Sequence, residues 1–109
     1  MPIYMHQFTY TPESWAAQIK NPQNRMETVG PALCKAAGGK MIGVALLRRI
    51  RRVLIADVPD MESMAAIALA ISGGGSVKSA KTTVLMTGAQ GVEALKKAEK
   101  VAKEYKPAK

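Results

Sequence analysis

Residues 40–58, KMIGVALLRRIRRVLIADV, decide what this chain can fold into. Two apolar runs, 41–47 and 53–58, flank Arg48-Arg49-Ile50-Arg51-Arg52, so the stretch is at once the most hydrophobic and the most basic in the chain. A helix fits, because Leu46, Leu47, Ile50, Val53 and Leu54 recur at helical spacing with arginines opposite. Two strands joined by a charged turn fit as well, given the β-branched residues and a length near two average strands. The two readings lead to different folds, and only the order of the remaining elements separates them.

Taken from the start, residues 3–10 (IYMHQFTY) suit a strand with Ile3, Met5, Gln7 and Thr9 on one side and Tyr4, His6, Phe8 and Tyr10 on the other. Neither side is strongly polar, so one covers the helices and the other meets something else. Thr11-Pro12-Glu13 starts a helix, with Thr11 as N-cap and Pro12 at the first helical position. It stops near Asn21-Pro22. A second helical stretch runs from about Gln23 to Ala37, with a kink expected at Gly30-Pro31, and Gly38-Gly39 ends it. After the central stretch, Asp60 caps a helix rich in alanine, expected to be mostly buried, that ends at residues 72–75. Residues 76–86 form a last strand, with Lys78 and Lys81 tolerated at a sheet edge. A final helix to about Tyr105 carries an apolar stripe of Val92, Leu95, Ala98, Ala102 and Tyr105.

If residues 40–58 form a hairpin, the order is β-α-β-β-α-β plus a C-terminal helix. This is an α+β, ferredoxin-like arrangement with a four-stranded antiparallel sheet. If they form a helix, only two strands remain, and an isolated pair is marginal. Topological consistency therefore favours the hairpin, in a single domain over residues 1–109.

Composition narrows the function classes. Apolar residues make up 48% and charged residues 22%, a globular balance. The net charge of +8 invites an anionic partner. Much of it, however, sits in a C-terminal run where Glu93, Glu99 and Glu104 alternate with lysines, as on a solvated helix face. No aromatic residues interleave with the basic ones as nucleic-acid stacking requires. Cys34 is the only cysteine, which excludes an intrachain disulfide and a cysteine-rich metal site. No run reaches the ~18 apolar residues of a membrane span, and MPIYMHQF lacks the features of a signal peptide. A cytoplasmic protein is expected, with no membrane partner and no cofactor.

The candidates for chemistry are few. His6, the only histidine, is a ligand or general base if a second polar group faces it; otherwise it is a hydrogen-bonded residue at a sheet surface. Cys34, on a helix of small residues, reads as a packed core thiol rather than a nucleophile. Asp57 and Asp60 are a strand end and a helix cap rather than a carboxylate pair. The Gly73-Gly74-Gly75-Ser76 run follows a helix and precedes a strand, the reverse of a phosphate-binding loop. No catalytic residue and no metal ligand set are assigned.

The chain resembles the GYD domain family, small proteins of the dimeric α+β barrel type. The resemblance rests on PIYMHQFTYTPESWAAQIKNPQNR, on residues 36–40, on Ala56-Asp57-Val58-Pro59-Asp60, on Ser79-Ala80-Lys81-Thr82-Thr83, and on GAQGVEALKKA. It implies a ferredoxin-like fold and a homo-oligomer, a dimer or higher, rather than a particular reaction. The Gly-Tyr-Asp turn expected between the second and third strands is replaced by Arg48-Arg49-Ile50-Arg51-Arg52. Apolar residues rimmed by arginine are typical of protein–protein contacts. Val44, Ala45, Leu46, Leu47, Arg48, Arg49, Ile50, Arg51 and Arg52 are therefore expected to form an additional assembly contact, with another subunit or a second protein component. Such a turn fits an engineered surface as well as natural divergence. The leading expectation is a non-catalytic, self-associating protein. One alternative is a ligand pocket or enzyme site built from Tyr4, His6, Phe8 and Tyr10. Another is anion or nucleic-acid binding through residues 48–52.

Overall fold

A computed structural model of the chain describes residues 2–47 and 51–108. The element order is β1 (Ile3–Tyr10), α1 (Pro12–Lys20), α2 (Arg25–Ala36), β2 (Lys40–Leu47), β3 (Arg51–Asp57), α3 (Met61–Gly73), β4 (Val77–Leu85) and α4 (Gly88–Ala102). Residues 40–57 are thus a hairpin: β2 and β3 pair antiparallel, with Leu47 opposite Arg51 and Val44 opposite Leu54. Arg48, Arg49 and Ile50 lie outside the described residues.

Short local signals fix the helix starts. Thr11 accepts a hydrogen bond from the Ser14 amide at 3.2 Å, and Asp60 accepts one from the Ser63 amide at 2.8 Å. Thr87 and Gln90 close a reciprocal capping box at the start of α4. Each cap satisfies amides that the first helical turn leaves without a partner. Pro31 lies inside α2, and the helix runs through it.

All three strand pairings are antiparallel and the sheet order is β2-β3-β1-β4. This is the split βαβ arrangement, with β1 and β3 central and β4 at an edge. Strand alternation sorts the side chains. Tyr4, His6 and Phe8 of β1 align with Ala56, Leu54 and Arg52 of β3, on the side that α2 and α3 cover. There Phe8, Leu54, Cys34 and Met64 are sealed from solvent among the core residues. Ile3, Met5, Gln7, Val53 and Ile55 point to the opposite side, where Val53 is buried and the other four are half-buried.

Two helices depart from expectation. In α3 only Met64 and Ile67 are buried, while Leu69 is 72% exposed. Helix α3 rests on the sheet by one narrow stripe, and its apolar outer face is left open. In α4 no residue is buried: Leu95 and Val101 are exposed, as is Tyr105, which lies beyond the end of the helix. The apolar stripe is present, but α4 stands away from the body of the domain. The radius of gyration is accordingly 17.4 Å, against about 13 Å for a compact chain of this length.

Candidate functional site

β1 sets a column of rings along the helix-covered side of the sheet. His6 and Phe8 lie 5.6 Å apart, Phe8 and Tyr10 meet edge-on at 5.5 Å, and Tyr10 and Trp15 meet edge-on at 5.1 Å. Alternation alone brings His6, Phe8 and Tyr10 together, since residues two apart share a face. Trp15 joins from the first turns of α1. Edge-to-face contacts suit the ring quadrupoles and hold the column in one arrangement.

Two polar atoms in this column are buried without a hydrogen-bond partner among the described residues: His6 Nε2 and the Tyr10 hydroxyl. The other ring nitrogen of His6, Nδ1, lies 2.8 Å from Thr82 Oγ1 on β4. Burial lowers the His6 pKa, so the neutral imidazole is favoured. Burial raises that of Tyr10, and the positive charges of Arg52 and Arg25 partly oppose it. The phenol therefore stays protonated and available as a donor.

Tyr10 lines a cavity of about 150 Å³ at the end of β1, together with Phe8, the first turns of α2 (Arg25, Met26 and Val29), the end of α3 and residues Ser76 and Val77. Of the four residues expected to form a ligand pocket, Phe8 and Tyr10 are on its wall. Tyr4 and His6 lie further along the same column and are buried in the core. Arg25 and Ser76 carry no motif that marks them in the sequence. Their one signal is position, Arg25 at the first residue of α2 and Ser76 just before β4, with the Ser76 carbonyl accepting from the Thr11 amide at 2.8 Å.

The expected assembly segment divides between the two sides of the sheet. Val44 is half-buried and packs against the core. Leu46 is 57% exposed and aligns with Arg52 on the helix side. Ala45 aligns with Val53 on the open side, and Arg51, two residues before Val53, shares that side. Arg51 and Arg52, adjacent along β3, thus face opposite ways, and the Nε of Arg52 is buried without a partner among the described residues. Residues 48–50 of the segment lie outside the described residues.

The remaining candidates are structural. Cys34 is fully buried and its thiol pKa is raised by that burial. Asp60 caps α3, and hydrogen bonds from Ser63 hold its carboxyl below the usual range. Gly75 adopts a positive φ of 81° in the turn before β4. Among the described residues, no three histidine, cysteine or acidic side chains gather as a metal site would require. No described helix is long and apolar enough to cross a membrane.

A split βαβ sheet with helices on one side and an open apolar face on the other defines an α+β, ferredoxin-like domain. The model of the GYD domain family matches residues 4–95, and the chain belongs to that family. Among solved structures, a NIPSNAP domain protein from Burkholderia xenovorans is similar over 82% of this chain and 96% of its own, with 12% identity and a TM-score of 0.51. A protein from Agrobacterium tumefaciens matches over 81% and 94%, with 12% identity and a TM-score of 0.49. Likeness at this identity concerns the fold. A comparison with curated proteins finds no match.

Proposed function

We propose that this chain is a self-associating protein in which a second copy covers the open side of the sheet. The observation that carries the reading is the composition of that side. Ile3, Met5, Ile55 and Leu85 are only half-buried there, around a Val53 that is itself buried. An apolar surface of this extent on a single chain is a liability in water. A second copy carries the same strip, so a two-fold axis parallel to the sheet, lying in the interface, lets each protomer cover the other with identical residues.

Helix α4 supports the same reading. Isolated helices of about 12–15 residues are marginal in water, and the 15 residues of α4 bury no side chain within their own chain. Its exposed Leu95 and Val101, and Tyr105 just beyond its end, would gain a partner from another protomer. At the hairpin end, Ala45 and Arg51 extend the open side. Separately from that side, the segment 44–52 is an additional contact for another subunit or a second component, with Leu46 as an exposed anchor on the helix side.

The test is the solution mass by light scattering at micromolar concentration, for the chain itself and for a variant with Leu46, Leu47 and Ile50 made polar. A mass above that of the monomer is expected, reduced in the variant. A monomeric mass for the unaltered chain overturns the proposal, and an unreduced mass in the variant removes the 44–52 contact from it.

A further inference from the structure

We propose that helix α4 of one copy docks on the helix-covered side of another copy, in the strip between α3 and the edge strand β4, and runs antiparallel to α3. The proposal rests on the self-association argued above and says where α4 goes in it.

The strip is bare in the single chain. Val84, Thr82 and Ala80 of β4 align with Tyr4, His6 and Phe8 of β1, so they belong to the helix-covered side. Their β1 partners are buried, yet all three are exposed. Helix α3 borders this strip. Its Ala66, Ile67 and Ala70 line a groove shared with Leu33, Ala36 and Ala37 of α2, and α2 packs over β2 and β3. The row Met61, Ala65 and Leu69, spaced four apart, lies on the far flank of α3, which the sheet order β2-β3-β1-β4 turns toward β4. All three are exposed.

The chain also carries a helix of matching length that has no such bed of its own. Helices α4 and α3 have 15 and 13 residues, about 22 and 20 Å. Leu95, Ala98 and Ala102 form one row of α4, all of them exposed.

Charge sets the direction, and direction decides which copy supplies the helix. The acidic residues of α3 are at its start, Asp60 and Glu62, and its last turn has no basic residue. At its far end, Arg25 shares a cavity wall with Gly74 and Ser76, and Lys78 follows in the chain. In α4 the first turn has no acidic residue, while Lys100 and Lys103 stand at the end. Antiparallel packing sets these lysines beside Asp60 and Glu62 and opposes the two helix dipoles. Parallel packing would bring them to Arg25 and Lys78. The chain's own α4 starts at the Leu85 end of β4, which lies beside Ile3 and Asp57, the end where α3 also starts. To run antiparallel it would have to start at the other end of β4, about 30 Å away, and Met86 and Thr87 span only about 7 Å. Another copy's α4 has no such tether. Given and received once each, strips about 10 Å wide cover about 440 Å² per partner. That is short of the roughly 800 Å² of a stable interface, so the docked helix adds to the open-side contact rather than replacing it.

The experiment joins cysteines across the contact in the full chain. Antiparallel docking puts Met61 of one copy beside Ala102 of another, whereas parallel docking puts it beside Val92. Met61→Cys and Ala102→Cys, carried by separate chains, are mixed under mild oxidation, and the disulfides are identified by mass spectrometry. Both positions are exposed, so both variants should fold as the parent does, and the sealed Cys34 does not compete. The disulfide joining positions 61 and 102 is expected in at least about tenfold higher yield than one joining 61 and 92 in the corresponding mixture. Leu95→Glu in the Ala102→Cys chain is expected to lower that yield about tenfold, because it buries a charge in the contact. Equal yields, a yield unchanged by Leu95→Glu, or closure within one chain of the double variant Met61→Cys, Val92→Cys would each overturn the proposal. Light scattering of the parent separates this from the reading it rests on: a multimer without the disulfide between positions 61 and 102 overturns the docking of α4 alone, and a monomer overturns self-association as well.

Discussion

Replacing Ile55 by aspartate should dissolve the proposed assembly without unfolding the protomer. Ile55 is on β3, aligned with Met5 on one side and Gly43 on the other, near the middle of the open side. Its neighbours along the strand, Leu54 and Ala56, point into the core and are unaffected. The four-stranded sheet, with an eight-residue β1, presents a face of about 27 by 19 Å. Helix α4, at 15 residues, adds a strip about 22 Å long and 10 Å wide. Together these approach the roughly 800 Å² per partner of a stable interface. In a two-fold assembly each substitution appears twice. Burying an unpaired carboxylate costs at least about 3 kcal/mol, so the pair costs about 6 kcal/mol, or roughly four powers of ten in Kd. Sedimentation equilibrium should then report the 11.7 kDa protomer, with the far-UV circular dichroism of the parent. If the variant keeps the parent's mass at micromolar concentration, the open side is not the interface and the reasoning fails.

Two further outcomes follow from the fold itself. A Cβ on Gly39 would collide with the carbonyl oxygen of Asp57, whereas one on Gly43 would meet nothing. Gly39→Ala should therefore lower stability by about 1–3 kcal/mol, and Gly43→Ala should not, as read from urea unfolding midpoints. Burial lowers the His6 pKa from its ordinary 6.5, so the unfolded chain binds a proton that the folded chain resists. Stability should be full above about pH 6.5 and fall as the pH drops toward the folded-state value. His6→Gln should flatten that part of the stability profile, and an unchanged profile would mean that His6 does not carry it.

Much of the architecture was legible because caps and chain order are local or combinatorial signals. Thr11 and Asp60 mark helix starts with their own side chains, and the hairpin at residues 40–57 follows from counting strands; the Thr87 cap of α4 emerged only with the structure. The assignment of faces was not legible from β1 alone, because Ile3 and Met5 are as apolar as Tyr4 and Phe8. It is settled by the register with β3, which puts Leu54 and Ala56 beside the rings. The exposure of α3 was hidden by its alanines, which read as interior residues yet need no partner. The stripe of α4 was visible, but a stripe does not state what covers it. The cavity was legible only in its β1 half. Arg25, Ile71 and Ser76 reach it from three separate segments, and no spacing within one segment records that convergence.

The sealed position of Cys34 has a practical consequence. It lies on α2 against the sheet, with no exposed surface, and it is the only thiol in the chain. A water-soluble thiol reagent can reach it only when α2 lifts from the strands or the whole domain opens. The rate of its modification under native conditions therefore reports the opening of this joint, by itself or with the whole domain, with no label to introduce and no competing thiol to subtract. Slower modification at higher protein concentration would tie that joint to the association of subunits on the far side of the sheet.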